Sequence, residues 1–151
     1  MAKANVKLDY GELKKLKEQV MLFGEPDQID AFLSSCAKEL AARLLAKVIK
    51  RTPVGKYPKG SGKTGGTLRR GWTASNKSDS FSVKKVGNDY VIEIINPVEY
   101  ASYVEFGHRT RNHKGWVEGK FMLTISEDEI RNSAPAILEK KLKNYLKGCF
   151  T

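Results

Sequence analysis

The sequence predicts one α+β domain over residues 1–151, in which N-terminal and C-terminal helices pack on a small antiparallel β-sheet. Three observations lead to this prediction. Apolar residues recur at helical spacing near both ends, short apolar runs alternate with polar residues in the middle, and 151 residues suit one domain with its own core. A long loop rich in glycine and lysine, at about residues 52–67, separates the first helices from the strands.

Two helices are predicted before this loop. The first carries its apolar residues on one face: Leu13, Leu16, Val20 and Phe23. Pro26 suits the first turn of the second helix, and apolar residues then follow at helical spacing as far as Val48. This helix should end before Pro53, because the residue preceding a proline avoids helical dihedral angles.

The middle of the chain predicts about three antiparallel strands. Residues 68–75 are the candidate for the first strand. The sequence Gly-Asn-Asp at 87–89 separates an alternating run that begins at Phe81 from the apolar run 90–95, a pattern typical of a β-hairpin. Residues 98–106 suit either a short helix or a bent extended segment, and residues 107–120 read as polar and irregular.

The last helix is predicted from an apolar stripe between Ile130 and Leu146. Ser126 is followed three residues later by Glu129, which matches a capping box at the start of the helix. Pro135 lies inside the pattern, so either the helix kinks there or a new helix begins after Ser133.

Positive charge is concentrated in one quarter of the chain. The net charge is +10, and residues 40–78 contain ten Lys or Arg and no Asp or Glu, whereas the remaining residues contain 17 basic and 17 acidic side chains. We call residues 40–78 the basic window. Such a concentration either faces a polyanion or an acidic protein, or forms a solvated loop.

Membrane and disulfide-rich classes do not fit the composition. The longest apolar run, residues 20–23, is four residues, whereas a transmembrane helix needs about 20. The N-terminus lacks the apolar stretch of a secretory signal. Cys36 and Cys149 are too few and too far apart for a disulfide framework, which favours a reducing compartment. Cys36 lies on an apolar helix face, where we expect a small buried hydrophobe.

The candidate sites for chemistry are weak. Gly60–Thr64 resembles part of a P-loop, but Tyr57 stands where the first glycine is needed and no buried strand precedes the loop. His108 and His113 are flanked by arginines that would repel a metal ion. Glu105 lies among aromatic residues, so either its pKa is raised or it pairs with Arg109, and we favour the pairing. We therefore expect no catalytic residues, no metal, no cofactor and no enzymatic activity.

Two segments resemble motifs of a known family. The first is Arg51–Val54 followed by Thr64–Trp72 (RTPV and TGGTLRRGW), and the second is Asn96–Arg109 (NPVEYASYVEFGHR). Together they resemble the tailed-phage family of head–tail joining or tail-completion proteins, and the similarity runs from about residue 30 to the C-terminus. Members commonly follow the second motif with a proline-rich stretch, where this chain reads Gly119–Thr124.

The resemblance implies a non-enzymatic assembly protein of a tailed phage, a prophage or a phage tail-like particle. Such proteins form a ring, usually sixfold, between the head-side connector and the tail. The implied partners are further copies of the chain, the connector, tail tube or terminator proteins and, transiently, phage DNA, with no membrane. The implied location is the neck of the particle, after synthesis in the bacterial host cytoplasm.

Two sets of residues are the expected interface. Basic residues expected to face a protein partner or DNA are Arg51, Lys56, Lys59, Lys63, Arg69 and Arg70. Motif residues expected at packing contacts or interfaces are Tyr100, Tyr103, Glu105, Phe106, Gly107 and Arg109. The aromatic members of the second set could instead fill the core. The alternative function is a basic nucleic-acid-binding module, although the sequence shows no DNA-reading motif.

Overall fold

The protein is described by a computed structural model, which covers residues 4–7, 25–74 and 83–149. The described part is a mixed α+β structure, as predicted. The helix predicted over Leu13–Phe23 lies outside the described residues. The described helices are α1 (Pro26–Arg51), α2 (Thr67–Gly71), α3 (Ala101–Phe106) and α4 (Met122–Cys149).

The two long helices, α1 and α4, pack against each other in antiparallel directions. The ring of Phe32, near the start of α1, stacks on Tyr145 near the end of α4, with centroids 4.4 Å apart. At the other end, Arg51 of α1 forms an ion pair with Glu129 of α4. The buried stripe of α1 follows the predicted spacing: Ile29, Phe32, Leu33, Cys36, Ala37, Leu40, Ala41, Leu44 and Val48. The sequence period therefore identified the helix face that forms the core.

The strands within the described residues are short and antiparallel, and they form three separate sheets. The first sheet has the order β1–β5–β2, with strands Ala4–Lys7, Glu93–Asn96 and Thr73–Ala74. The other two are hairpins: β3 (Lys84–Val86) with β4 (Asp89–Val91), and β6 (Gly107–Arg109) with β7 (Trp116–Glu118).

The predicted hairpin around residues 87–89 is confirmed. Val86 pairs with Asp89, and Gly87 takes a φ of 62°, which suits a tight hairpin turn. The apolar run 90–95, however, is divided between two sheets. A straight strand buries every second residue, whereas Tyr90, Val91 and Ile92 are all buried. The pairing therefore breaks at Ile92, and residues 93–96 join β1 and β2.

Two further predictions about local structure were wrong. Residues 67–71 form a helical turn, in which Leu68 is buried, as is Trp72 four residues on; of the described residues 68–74, only Thr73–Ala74 is a strand. Residues 107–120 contain the β6–β7 hairpin. That hairpin was missed because every residue of β7 is exposed, so the sequence has no alternation of buried and exposed positions there.

Ser126 does not cap the last helix, which begins four residues earlier at Met122. The Ser126 hydroxyl instead donates to the carbonyl oxygen of Met122 at 2.6 Å, within the first helical turns. The helix also continues through Pro135 without a second start. Residues on either side of the proline, Ala134 and Leu138, are buried in the core, and this packing outweighs the local cost of proline.

Cys36 lies in the core, and its burial raises the pKa of its thiol to about 11. Near pH 8 only about one thiol in a thousand would then be a thiolate, the form that reacts with iodoacetamide. We expect no alkylation of Cys36 in the native protein at pH 8 and complete alkylation in denaturant. Peptide mass spectrometry measures this position separately from Cys149, and rapid native alkylation would contradict the buried placement.

Candidate functional site

The two parts of the first motif meet inside the protein. The buried hydroxyl of Thr52 accepts a hydrogen bond from the indole N–H of Trp72 at 2.7 Å and donates to the carbonyl oxygen of Val48 at 2.6 Å. The Arg69 guanidinium donates to the Thr52 carbonyl oxygen at 2.7 and 3.1 Å. These bonds fasten α2 to the end of α1, so both ends of the intervening loop are fixed.

The start of the second motif is bonded to the same unit. The buried Asn96 side chain donates from Nδ2 to the carbonyl oxygen of Leu68 at 2.8 Å, and its Oδ1 accepts from the Val98 N–H at 3.2 Å. Gly71 lies against this amide, and a methyl group at Gly71 would be 2.4 Å from Asn96 Oδ1. The two motifs are therefore one packing unit, although Leu68 and Asn96 are 28 positions apart in the sequence.

Substitution Gly71→Ala tests this contact. The methyl group must displace an amide held by two hydrogen bonds, so we expect the free energy of unfolding to fall by about 1–3 kcal/mol. Gly148→Ala is the matched control, because nothing lies within 4 Å of a methyl group there, and its effect should stay within about 0.5 kcal/mol. Denaturant melts measure both values, and equal effects would contradict the Gly71–Asn96 contact.

Glu105 stabilises the start of α4 and does not pair with Arg109. Its buried carboxylate accepts the N–H groups of Leu123 and Thr124, each at 2.9 Å, and the Thr124 hydroxyl at 2.7 Å. Arg109 lies on β6, opposite Trp116, and is exposed. The prediction that Glu105 has a structural role is confirmed, but the predicted partner, Arg109, was wrong. The donors that the Glu105 carboxylate binds come from the N-terminus of α4, which is distant in the sequence.

The aromatic residues of the second motif lie at the surface. The side chains of Tyr100, Tyr103 and Phe106 are 44%, 57% and 59% exposed, whereas Ala101 and Glu105 of the same segment are buried. The three aromatic residues therefore do not fill the core of the isolated chain. Gly107 follows with a φ of 86°, at the point where α3 ends and β6 begins. Contact of Tyr100, Tyr103 and Phe106 with a partner stays a prediction.

A groove of about 300 Å³ lies between the loop and α3, and we call it the loop–α3 groove. Its apolar lining comes from both motifs and the loop: Pro53, Val54, Tyr57, Leu68, Tyr100 and Val104. Val54 and Tyr57 were not among the residues predicted to form a contact surface. The available signal was their position, since an isolated aromatic residue in a loop of glycine, proline and lysine has no apolar neighbours with which to enter a core.

The basic residues expected to face a partner fall into two groups. Arg51 binds Glu129 and the Ser126 hydroxyl, and Arg69 binds carbonyl oxygens at the end of α1, so both guanidinium groups already have partners within the protein. The Arg51 and Lys47 side chains also hold the pKa of Glu129 below its usual value by hydrogen bonding. The other group lies exposed on the loop and α2: Lys56, Lys59, Lys63 and Arg70.

Within residues 4–7, 25–74 and 83–149, no group of three His, Cys, Asp or Glu side chains is arranged to hold a metal ion. Among the helices that the structure describes, none is long and apolar enough to cross a membrane.

Comparison with protein families gives a match that covers residues 14–107. The matching family is described as "Bacteriophage HK97-gp10, putative tail-component". The matched segment contains α1, the loop, α2 and α3, and it ends at Gly107 of the second motif. Searches of curated proteins and of solved structures give no match. The chain thus belongs to the HK97-gp10-like family of bacteriophage tail components.

Proposed function

We propose that the protein is a tail-completion, or head–tail joining, protein that forms a ring at the neck of a tailed phage, a prophage-encoded phage or a phage tail-like particle. In this role it binds other copies of itself in a ring, with sixfold symmetry expected. It contacts the head-side connector on one face and tail tube or terminator proteins on the other, and it performs no chemical reaction. Membership of a phage tail-component family supports the coarse part of this proposal.

The observation that carries the finer part is the exposure of three aromatic residues in the second motif. Tyr100, Tyr103 and Phe106 are about half exposed in the single chain, on a helix whose other face is anchored by Glu105. Large aromatic residues presented on a fixed element are typical of the centres of protein interfaces. A protein that lies between other subunits would bury these aromatic side chains against its neighbours.

The test compares particles made with and without the gene in the producing bacterium. We expect deletion to leave heads and tails unjoined, and expression of the wild-type chain to restore joining, as counted by electron microscopy. Tyr103→Ser with Phe106→Ser should fail to restore joining while the purified variant remains folded. Val86→Ser, an equally exposed apolar residue on β3, is the control. Normal joining in the deletion strain would refute the neck role.

The loop provides an independent prediction. Trypsin sites after Lys56, Lys59 and Lys63 lie in an exposed segment without helix or strand, so we expect rapid cleavage there in the free protein. If neighbouring subunits cover this segment, assembled particles should be protected at the same sites. Lys143, exposed on α4 and expected to resist cleavage because it is helical, is the internal control. Equal cleavage rates within the loop in free protein and particles would contradict its burial on assembly.

A basic nucleic-acid-binding module is the second candidate function. The observation that favours it is that none of the ion pairs among the described residues involves Lys56, Lys59 or Lys63. Neutralising phosphates with three lysines predicts a slope of about −2.7 when log affinity for duplex DNA is plotted against log salt. Absence of DNA binding at low salt would eliminate this candidate.

A further inference from the structure

We propose, on the basis of the neck role above, that the loop–α3 groove binds an acidic segment of a neighbouring tail protein, and that this segment inserts an aromatic or branched apolar side chain. Three features support this proposal: an apolar groove, exposed lysines on the loop that lines it, and contact between the two arms of that loop.

The groove is built to receive an apolar side chain. Val54 and Tyr57 on the loop and Tyr100 beside α3 are each between 42% and 49% exposed, and all three line it. No charged side chain is part of its lining. Burying these half-exposed surfaces against a partner's side chain is favourable at about 25 cal/mol per Å² of apolar area.

The two arms of the loop touch at its base, and Lys63 lies beside a residue that lines the groove. A methyl group at Gly65 would lie 2.0 Å from the carbonyl oxygen of Gly55, which shows that the two arms of the loop touch. Between these glycines, Lys63 extends over the Tyr57 ring, with Nζ 5.9 Å from the ring centroid. Arg70 also donates to the Gly65 carbonyl oxygen at 3.3 Å, which places a guanidinium group beside the second arm of the loop.

The charge around the groove selects an acidic partner. Lys56, Lys59 and Lys63 are exposed, and the basic window that contains them has no acidic residue. Two other cations of the basic window, Lys47 and Arg51, are already paired with Glu129. Carboxylates on a docking segment would therefore meet free ammonium groups at the rim, while the apolar side chain fills the groove.

The apolar groove favours a protein segment over nucleic acid. A phosphate backbone would use the lysines and leave Val54, Tyr57 and Tyr100 exposed to water. In addition, Tyr103 and Phe106 are exposed on α3, the helix that follows Tyr100. A partner that covers both parts needs apolar side chains as well as negative charge.

The test measures binding of the purified full chain to fluorescent copolymers of matched length. Poly(Glu,Tyr) should bind about tenfold more tightly than poly(Glu), since only the first can fill the groove. Tyr57→Ser with Tyr100→Ser should remove this preference and leave the affinity for poly(Glu) unchanged, and a circular dichroism spectrum like that of the wild type shows that the variant is folded. Lys56→Glu with Lys59→Glu and Lys63→Glu should weaken binding of both polymers about tenfold or more.

Matched controls come from the β3–β4 hairpin. Val86→Ser and Lys84→Glu change an exposed apolar and an exposed basic residue on β3, which lies beside the start of α1 through the Lys85–Asp30 ion pair. The loop–α3 groove adjoins the other end of α1, about 30 Å along the helix axis. Both control variants should bind the two copolymers as the wild type does.

Three results would overturn the inference: equal affinity for the two copolymers, no effect of the tyrosine substitutions, or tighter binding of duplex DNA than of poly(Glu,Tyr). The last result would indicate that the loop lysines bind nucleic acid and not an acidic protein segment. Each of these results leaves the neck role standing, because that role is scored separately by the joining of heads and tails. Conversely, failure of the joining experiment leaves the copolymer preference measurable on the free protein.

Discussion

Glu105→Ala should lower the free energy of unfolding by about 2–4 kcal/mol, because it removes the cap of α4 and leaves buried donors unsatisfied. The carboxylate accepts three hydrogen bonds from Leu123 and Thr124, and the residue is only 1% exposed. Its negative charge also lies at the positive end of the dipole of a 28-residue helix. Urea unfolding followed by circular dichroism measures the change.

Two further variants separate the cap from other effects of the substitution. Glu99→Ala removes an exposed carboxylate from the same segment and should change stability by less than about 0.5 kcal/mol. Glu105→Gln keeps the side-chain volume but turns an amide N–H₂ group toward backbone donors. Its loss of unfolding free energy should therefore lie between the losses for Glu99→Ala and Glu105→Ala. A Glu105→Ala variant as stable as Glu99→Ala would show that the carboxylate does not cap the helix.

The long helices and the first hairpin could be predicted because their signals are local. The buried stripe of α1 repeats every three or four residues, and Gly87 marks a two-residue turn between β3 and β4. The start of α4 could not be predicted in this way. Its cap, Glu105, lies 18 residues before Leu123, so the sequence near Met122 contains no capping residue, whereas Ser126 offered a false local match.

The candidate site was predictable in composition but not in arrangement. The sequence placed six basic residues in one set, yet Arg51 and Arg69 bind groups within the protein while Lys56, Lys59 and Lys63 remain exposed. Charge counts do not reveal this division, because it depends on Glu129 of α4 and on the carbonyl oxygens at the end of α1. Likewise, the exposure of the aromatic residues on α3 depends on which face the buried Glu105 turns inward.

Gly107→Ala should cost about 3 kcal/mol or more of unfolding free energy, because two independent penalties act at this residue. Its φ of 86° and ψ of 172° lie in a region that is essentially restricted to glycine. A methyl group would in addition lie 2.5 Å from the carbonyl oxygen of Val117, on the strand paired with β6. Relieving either penalty requires separating the β6–β7 hairpin or unwinding the end of α3.

Gly87→Ala is the comparison at a positive φ without a steric contact. Gly87 has a φ of 62°, but nothing lies within 4 Å of a methyl group there, so only backbone strain of about 1 kcal/mol applies. The excess cost at Gly107 therefore combines its more restricted backbone conformation with the close approach of β7 to the end of α3. If Gly107→Ala lowers the unfolding free energy no more than Gly87→Ala does, β7 does not pack closely against Gly107. The β6–β7 hairpin would then not fix the end of α3, and Tyr103 and Phe106 would lack the rigid support that an interface requires.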